Sequence, residues 1–527
     1  MASIVRAKVR GDVYLYESVS FRNKDGKPRN KKTIIGKIDR ESGLEIYKPE
    51  YIKRMKDSGE IVPENKSTTT YLSQEIKASL IKEFGAFYFY NKISENIGLQ
   101  EILMKVFPNT WKEIFVVACY LVSTGDPMMY CGDWIEKTDT ILSSLTSQEI
   151  SKLLAGLTHN KQEEFYQAWC KYRSEKEYLA LDITSISSYS KNITPVEWGY
   201  NRDCENLPQI NLCMLLGETS RLPIFQMIYN GSLKDVSTLK TSLVMAFSLG
   251  RKKRTLVMDK GFYSKDNINF MIKEKLSENF LIAMPYTTKH AKDLIIKSKI
   301  ITDNPDYTIL LNAKNIIQGI TKIIQWDNKH KLYAHVYYNV IRSAEVKNDM
   351  YEYVACLKNY AIKDPKDKKY ENEFKKYLNI KTLKNGTHEI SINQSAVENE
   401  IFNSGWMILL SNSIKDVKKA LSIYRSKDAV EKGFYRLKNN LDLHRLRTHS
   451  DETMMGKLFI EFISLILMSH IHHKMTSNKM YKYYSLKELI KELEKLHIQY
   501  IGKNRILYPL TRKQKEILTI FDVKFPV

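Results

Sequence analysis

Cysteine is scarce: six residues in a chain of 527, at Cys119, Cys131, Cys170, Cys204, Cys213 and Cys356. No two share Cys-x-x-Cys spacing, so neither a zinc site nor a disulfide framework is expected, and the thiols read as reduced cytosolic ones. Long apolar runs are also few. Leu458 to Ile471 is the longest and is interrupted by Glu461, Ser464 and Ser469. At that length it reads as a buried helix, too short to span a bilayer, so no membrane is expected. The N-terminus shows no secretory signal pattern, and the expected location is cytoplasmic, with the nucleoid. Acidic residues are the minority charge, 60 Asp+Glu against 82 Lys+Arg, for a net charge of +22 and a pI near 9.3. That surplus suits a polyanionic partner, most simply nucleic acid. Richness in Lys, Ile, Asn and Tyr gives a second account of it, since AT-rich coding favours the same residues. What is plentiful is apolar material, 43% of the chain, enough for a globular protein of two to four domains.

The first seventy residues read as a basic β-hairpin region. Val13–Val19 and Lys32–Ile38 flank Asn23-Lys24-Asp25-Gly26-Lys27-Pro28, in which Gly can take positive φ and Pro fixes φ. Arg22, Lys24, Lys27, Arg29, Lys31 and Lys32 make its tip strongly basic, either a DNA-backbone contact or a solvated turn. Residues 71–175 have helical spacing, with Phe84–Leu103 and Trp111–Val122 the clearest runs and a break at Gly125-Asp126-Pro127. A helical module after a basic hairpin suits DNA binding.

From Tyr178 the period changes. Tyr178–Ile186, Gln209–Leu216 and Leu222–Tyr229 read as strands, then Val236–Leu249 as a helix, Thr255–Asp259 as a strand, Ser264–Leu276 as a helix capped by Ser264, and Asn279–Pro285 as a strand. That order is the one of a ribonuclease-H-like α/β core, over 176–285 and 405–475. Residues 286–404 interrupt it as an insertion domain, with strand-like runs at Lys331–Val340 and Met350–Leu357 and a charged loop or exposed helix at Asp364–Tyr377. The core resumes at Trp406–Leu410, and helices continue through the C-terminal region, 476–527.

Chemistry concentrates at three places. Asp182 ends an apolar run on the first core strand and Asp259 on the fourth, so both would face the crevice at the carboxyl ends of adjacent strands. In Leu421–Lys438, read as one helix, Tyr424, Lys427, Glu431 and Lys438 fall within a stripe roughly 60° wide at about 100° per residue. Cations there suit phosphate, the tyrosine suits a base or sugar, and a lone carboxylate among them suits a metal ion. The plain alternative for the helix is a solvated face with i,i+4 pairs. For the aspartates it is a pair of strand-end caps. Taken together, Asp182, Asp259 and Glu431 could hold two divalent cations about 3.5–4 Å apart. Carboxylates suit Mg²⁺ or Mn²⁺ because both are hard, oxygen-preferring ions.

These motifs resemble those of the DDE transposases of bacterial and archaeal insertion sequences, the group often called the IS-four superfamily, in the branch with a basic N-terminal hairpin region. The resemblance rests on Ala180-Leu181-Asp182-Ile183-Thr184-Ser185, Met258-Asp259-Lys260-Gly261-Phe262-Tyr263 and the spacing Tyr424-(2)-Lys427-(3)-Glu431-(6)-Lys438. Asn230–Ser237, Leu443–Glu452 and Pro28–Asp39 also look familial, as does the 172-residue span from Asp259 to Glu431. One departure stands out: the family's Arg is Lys427 here, and Arg425 lies about 160° round a helix from it. Lysine keeps the charge and loses bidentate phosphate geometry.

The resemblance implies Asp182, Asp259 and Glu431 as catalytic metal ligands for two Mg²⁺ (or Mn²⁺) ions. It implies DNA contacts by Tyr424, Lys427 and Lys438, while Arg445 and Arg447 would line the DNA path or stand in a solvated turn between helices. Trp326 would stack on an unpaired base or serve as an insertion-core residue. The expected activity is cleavage at the ends of an insertion sequence and joining of the 3′ ends to target. The expected partners are double-stranded DNA and a second copy of the chain on paired ends. A DNA-binding descendant without catalysis, and a ribonuclease-H-like nuclease without strand transfer, are the rival readings. His470, His472 and His473 fit no standard metal spacing.

Overall fold

The structure is a computed structural model and describes residues 2–9, 12–38, 45–58, 80–173, 177–248, 255–273, 279–302, 304–312, 315–383, 386–502 and 504–525. Residues 72–79 of the expected helical run, Leu249 and 274–276 at two expected helix ends, and Asp39 of the hairpin motif lie outside these. Two compact units are present: Met1–Lys82 with His497–Pro509, and Glu83–Leu496 with Leu510–Val527. These divisions differ from the boundaries at 70, 175 and 475 read from the sequence.

The smaller unit holds a four-stranded antiparallel sheet, β1 (Ala2–Val9), β2 (Asp12–Arg22), β3 (Pro28–Ile38) and β4 (Glu45–Tyr47), in that order, with helix α1 (Pro49–Asp57). Gly26 takes φ +73 at the β2–β3 turn, a conformation that costs a glycine little. Leu15, Ile35, Tyr47 and Tyr51 form its core.

Strand β5 (Leu80–Glu83) lies in the smaller unit but for its last residue, and the larger unit continues with helices α2 (Gly85–Asn96), α3 (Leu99–Val106), α4 (Trp111–Thr124), α5 (Cys131–Lys137), α6 (Ser147–Gly156) and α7 (His159–Tyr172). The run expected from Phe84 to Leu103 breaks at Gly98, which adopts the left-handed conformation between α2 and α3.

The α/β region follows in the expected order: β6 (Leu179–Ser187), β7 (Gln209–Gly217), β8 (Pro223–Asn230), α8 (Asp235–Ser248), β9 (Thr255–Met258), α9 (Lys265–Lys273) and β10 (Asn279–Ala283). Ser264 caps α9 by accepting from Asn267 N–H at 3.0 Å. β6, β7 and β8 form an antiparallel meander, while β9 lies parallel to both β6 and β10. This mixed sheet is consistent with a ribonuclease-H-like core.

Three features of the next segment depart from the sequence reading. After α10 (Lys289–Lys297), strands β11 (Thr308–Asn312), β12 (Asn315–Gln325) and β13 (Lys331–Tyr338) do not fold apart from the core. They extend its sheet through a later strand, β16 (Trp406–Ser411), in the order β11-β12-β13-β16-β10-β9-β6-β7-β8. Met350–Leu357 is not a strand. It lies inside α11 (Val340–Lys363), where its apolar side chains pack with α12 (Glu371–Tyr377), the hairpin β14 (Leu378–Thr382) and β15 (His388–Ile392), and α13 (Gln394–Ile401). Only this part has a small core of its own, including Val354, Leu357, Phe374 and Val397. Lastly, Leu421–Lys438 is two helices, α14 (Val417–Ser426) and α15 (Asp428–Asn439), meeting at Lys427.

Helix α16 (Asp451–Ser477) carries the apolar run. It is long and apolar enough to cross a membrane, contrary to the length expected from sequence, but 89% of its most apolar window is buried inside the protein. Phe459 packs among Phe107, Phe165 and Tyr166, and Leu458 O accepts from Gln226 Nε2 of β8 at 2.9 Å. A Cβ on Gly456 would stand 2.0 Å from Leu154 O, so α16 and α6 meet backbone to backbone. The C-terminal region is not wholly helical. Between α17 (Leu486–Glu494) and α18 (Arg512–Ile520) it forms the hairpin β17 (His497–Ile501) and β18 (Asn504–Leu507).

Candidate active site

Leu181 of β6 and Met258 of β9 are direct partners across the parallel pair. Each is followed by an aspartate, so Asp182 and Asp259 stand side by side. β9 ends at Met258 while β6 runs on to Ser187. The crevice therefore opens where a short strand stops beside a longer one, and Asp182 is mid-strand rather than at a strand end. Beyond Asp259 the chain turns at once through Lys260–Phe262. Asp235, ion-paired to Arg202, sits against that turn, and a Cβ on Gly261 would come within 2.8 Å of its Oδ2.

The junction of α14 and α15 closes the crevice. Lys427 N–H donates to Tyr424 O at 3.1 Å and Lys427 O accepts from Val430 N–H at 3.0 Å, both one residue short of α-helical spacing. The tighter local winding turns the two helices relative to one another. Ser426 and Asp428, residue types that compete with helix interiors, were the signal in the sequence for this break.

Lys427 is buried, its side chain 6% exposed, and its Nζ lies 3.2 Å from Asp182 Oδ2 and 3.2 Å from Glu431 Oε1. The Tyr424 hydroxyl donates to Asp259 Oδ1 at 3.0 Å, and Ile183 N–H donates to Asp182 Oδ1 at 2.9 Å. Burial raises the Asp182 carboxyl above its ordinary range, with the Asp259 charge adding to the rise and the Lys427 ammonium opposing it. Burial alone would lower Lys427, but the charges of Asp182, Asp259 and Glu431 outweigh it and hold the ammonium above its usual value. Burial and the Asp259 charge keep the Tyr424 phenol protonated far above its ordinary range. Glu431, 64% exposed, is the open side of the group.

Asp259, Tyr424, Lys427 and Glu431 line a cleft of about 790 Å³. Its other wall comes from Tyr286, Arg342, Asn403 and Trp406. Arg425 lines it too, although its angular distance from Lys427 had set it aside.

The other residues singled out in the sequence stand elsewhere. Lys438 is two turns beyond Glu431, and its Nζ pairs with Asp203 at 2.6 Å, away from the carboxylates. Arg445 pairs with Glu205 at 2.6 Å and lies over the Tyr189 ring, and Arg447 pairs with Asp442 at 2.6 Å. Arg445 and Arg447 line a second cleft of about 1010 Å³ with Tyr189, Lys191, His444 and His449. Leu446 N–H, between the two arginines, donates to Ser187 O at the end of β6. Trp326 is half-buried after β12 and outside both clefts. Its indole N–H donates to Asn269 Oδ1 at 2.8 Å, and its ring lies near His290. Burial pushes His470 down to about 4 and His472 to about 3, and His472 hydrogen-bonds Tyr481. No motif or spacing points to Asp203, Glu205 or the cleft wall from residues 286–406.

Among the described residues no three His, Cys, Asp or Glu side chains close on a common point as a metal site does. Asp182 and Glu431 instead share the Lys427 ammonium, with Asp259 beside them. The donors fit a hard divalent cation: all are carboxylates, and the group already gathers around one positive charge.

A family model described as Transposase DDE domain matches residues 173–467, more than half of the chain. The chain belongs to the DDE transposase family. Members of this family typically use divalent metals, in keeping with the donor set of this DDE domain. No curated relative matches the chain. Among solved structures it is similar to one titled "Cryo-EM structure of piggyBac transposase synaptic complex with hairpin DNA (SNHP)". The TM-score is 0.36 and the identity 11%, over 84% of this chain and 76% of that one.

Proposed function

We propose that this DDE protein is the transposase of an insertion sequence of the IS-four superfamily. It binds the ends of its element, cleaves phosphodiester bonds there and joins the 3′ ends to target DNA. The observation that carries the reading is the meeting of Asp182 and Glu431 at the Lys427 ammonium, with Asp259 beside Asp182 and held by Tyr424, at the cleft that Asp259, Lys427 and Glu431 line. Asp182, Asp259 and Glu431 would hold two Mg²⁺ or Mn²⁺ ions, which supply Lewis-acid stabilisation of the attacking and leaving oxygens. The chain's own residues do the rest. Ile183 N–H and the Tyr424 hydroxyl each occupy one carboxylate oxygen and so fix the direction in which the other faces. Lys427 bridges two carboxylates and, once released from them, offers its charge to a phosphate. Lys438, Arg445 and Arg447 would follow the DNA backbone past the cleft, each exchanging a carboxylate partner for phosphate. Trp326 would join them only by leaving Asn269. Cutting two ends together implies a homodimer on paired ends, working on the nucleoid in the cytoplasm.

The test is cleavage of labelled DNA bearing the flanks of this gene, with Mg²⁺ or Mn²⁺, by the parent chain and by Glu431→Gln. Nicking at the element boundary that falls at least about 100-fold in the variant is expected for loss of a metal ligand. Binding without cleavage in both proteins would mark a DNA-binding descendant. Cleavage without joining to a target would mark a nuclease.

A further inference from the structure

The smaller unit contains an arm that its own sheet does not support. The β2–β3 hairpin is covered at its base, where α1 packs beside Leu15 and Arg54 of α1 pairs with Glu17 at 2.7 Å. Beyond Ser18 the cover ends. From Val19 to Ile34 every residue is exposed except Asn23, which is half-exposed inside the turn. Both faces of a two-stranded ribbon are therefore bare, over a reach of roughly 15 Å at about 3.4 Å per residue. An isolated hairpin is marginal in water. This one is pinned at its tip, where Asn23 Oδ1 accepts from Asp25 and Lys27 N–H, and on one face, where Ser20 Oγ donates to Asn30 Oδ1 at 2.6 Å.

The charges on the arm are one-sided. Arg22, Lys24, Lys27, Arg29, Lys31 and Lys32 stand against the single carboxylate of Asp25, and among the described residues none of the six has a carboxylate partner. Arg445, Arg447, Lys427 and Lys438 in the larger unit are all paired. The register sorts the arm into two faces. Val19 opposes Lys31 and Phe21 opposes Arg29 on the face that α1 covers further down. Ser18 opposes Lys32, Ser20 opposes Asn30 and Arg22 opposes Pro28 on the face turned away from α1.

Resting on the transposase reading, we infer that this ribbon is the base-reading element, lying in the major groove of the element's end. A major groove about 12 Å wide and 8.5 Å deep admits a two-stranded β-ribbon. The face turned away from α1 can approach base edges without the helix intervening. It carries the side chains suited to that task, Arg22 for guanine and Asn30 for adenine. Lys24 and Lys27 at the tip, with Arg29 and Lys31 on the other face, reach the phosphates on the groove walls. An ordinary solvated hairpin would need neither six cations without a carboxylate partner among the described residues nor a bare length on both faces.

The test uses the full chain in EDTA, so that no cleavage occurs, with duplexes from the DNA flanking the gene and shuffled duplexes of the same composition. Fluorescence anisotropy gives both affinities across a salt series. The parent is expected to prefer its flanking duplexes at least tenfold. Arg22→Ala with Asn30→Ala should reduce that preference to threefold or less. Lys24→Ala with Lys27→Ala should weaken binding to both duplexes alike and lower the slope of log affinity against log salt by about one per residue. All four positions lie outside the core; because Asn30→Ala also removes the Ser20 hydrogen bond, Ser20→Ala is the control for the hairpin itself and is expected to keep the preference. A double variant Arg22→Ala/Asn30→Ala that keeps the full preference overturns the assignment while leaving the transposase reading intact. A parent chain with no preference for its flanks overturns both.

Discussion

Lys427 is where the most chemistry depends on one side chain. Its ammonium sits between Asp182 and Glu431 and is almost wholly buried. Two divalent ions on the same carboxylates would compete with it for the same oxygens. Lys427→Met is therefore expected to bind Mn²⁺ at least about tenfold more tightly than the parent in the absence of DNA, read from the paramagnetic resonance of free Mn²⁺. DNA should narrow the gap, since a phosphate gives the ammonium another partner. Equal affinities would mean that the ammonium leaves its carboxylates without cost. Much at this scale was legible in the sequence: Asp182, Asp259 and Glu431 are recognisable by local context and spacing. Their immediate surroundings were less so. Lys427 reads as a phosphate ligand and Tyr424 as a base or sugar contact, yet each is hydrogen-bonded to a carboxylate from a segment more than 160 residues away. Lys438–Asp203 and Arg445–Glu205 span similar distances, and no spacing rule announces such pairs.

Among the elements, α16 buries Lys457 and Glu461 one turn apart in a largely apolar helix. Among the described residues neither Glu461 carboxylate oxygen has a hydrogen-bond partner, while Lys457 donates to Leu446 O at 2.9 Å. Burial pushes the Glu461 carboxyl up to about 8, and burial lowers Lys457. The folded chain thus keeps a proton on Glu461 that the unfolded chain releases near 4.5. The stability from holding it is fully present below that pH and is lost as pH rises through about 8. Glu461→Gln should accordingly match the parent near pH 4.5 and melt several degrees higher at pH 8, by calorimetry at both. A difference that shrinks with rising pH would contradict this. The helix was expected from its apolar run, and the run gave its burial correctly. The α14–α15 break was missed because a 100° wheel hides one turn of tighter winding. Met350–Leu357 was missed because a short apolar run has no period of its own and α11 around it is highly charged.

Across the whole molecule, the sheet decides what can be removed. The order of elements along the α/β core followed from the alternation of strand and helix patterns. The extension to nine strands did not, because strands that join a neighbouring sheet read the same as strands that form their own. Tyr338 and Trp406 are direct partners in β13 and β16, and Asn339 N–H donates to Gly405 O. Residues 341–403 thus leave and return at one point, with a small core of their own. Replacing them with a tight turn is expected to preserve a single cooperative melt, followed by circular dichroism. It would also abolish end cleavage, because Arg342 and Asn403 line the cleft. Deleting 286–404 should instead give insoluble protein, since β16 would lose β13 and expose a bare edge.

The order of the three carboxylates along the chain has a consequence for synthesis. Asp182 and Asp259 are made early and already share a strand pair, but Glu431 follows only after four-fifths of the polypeptide. A nascent or prematurely terminated chain can carry the basic ribbon without the third carboxylate. On the proposed reading of the ribbon, such a fragment would occupy an element's end without cutting it, and incomplete translation products would act as antagonists of the finished protein.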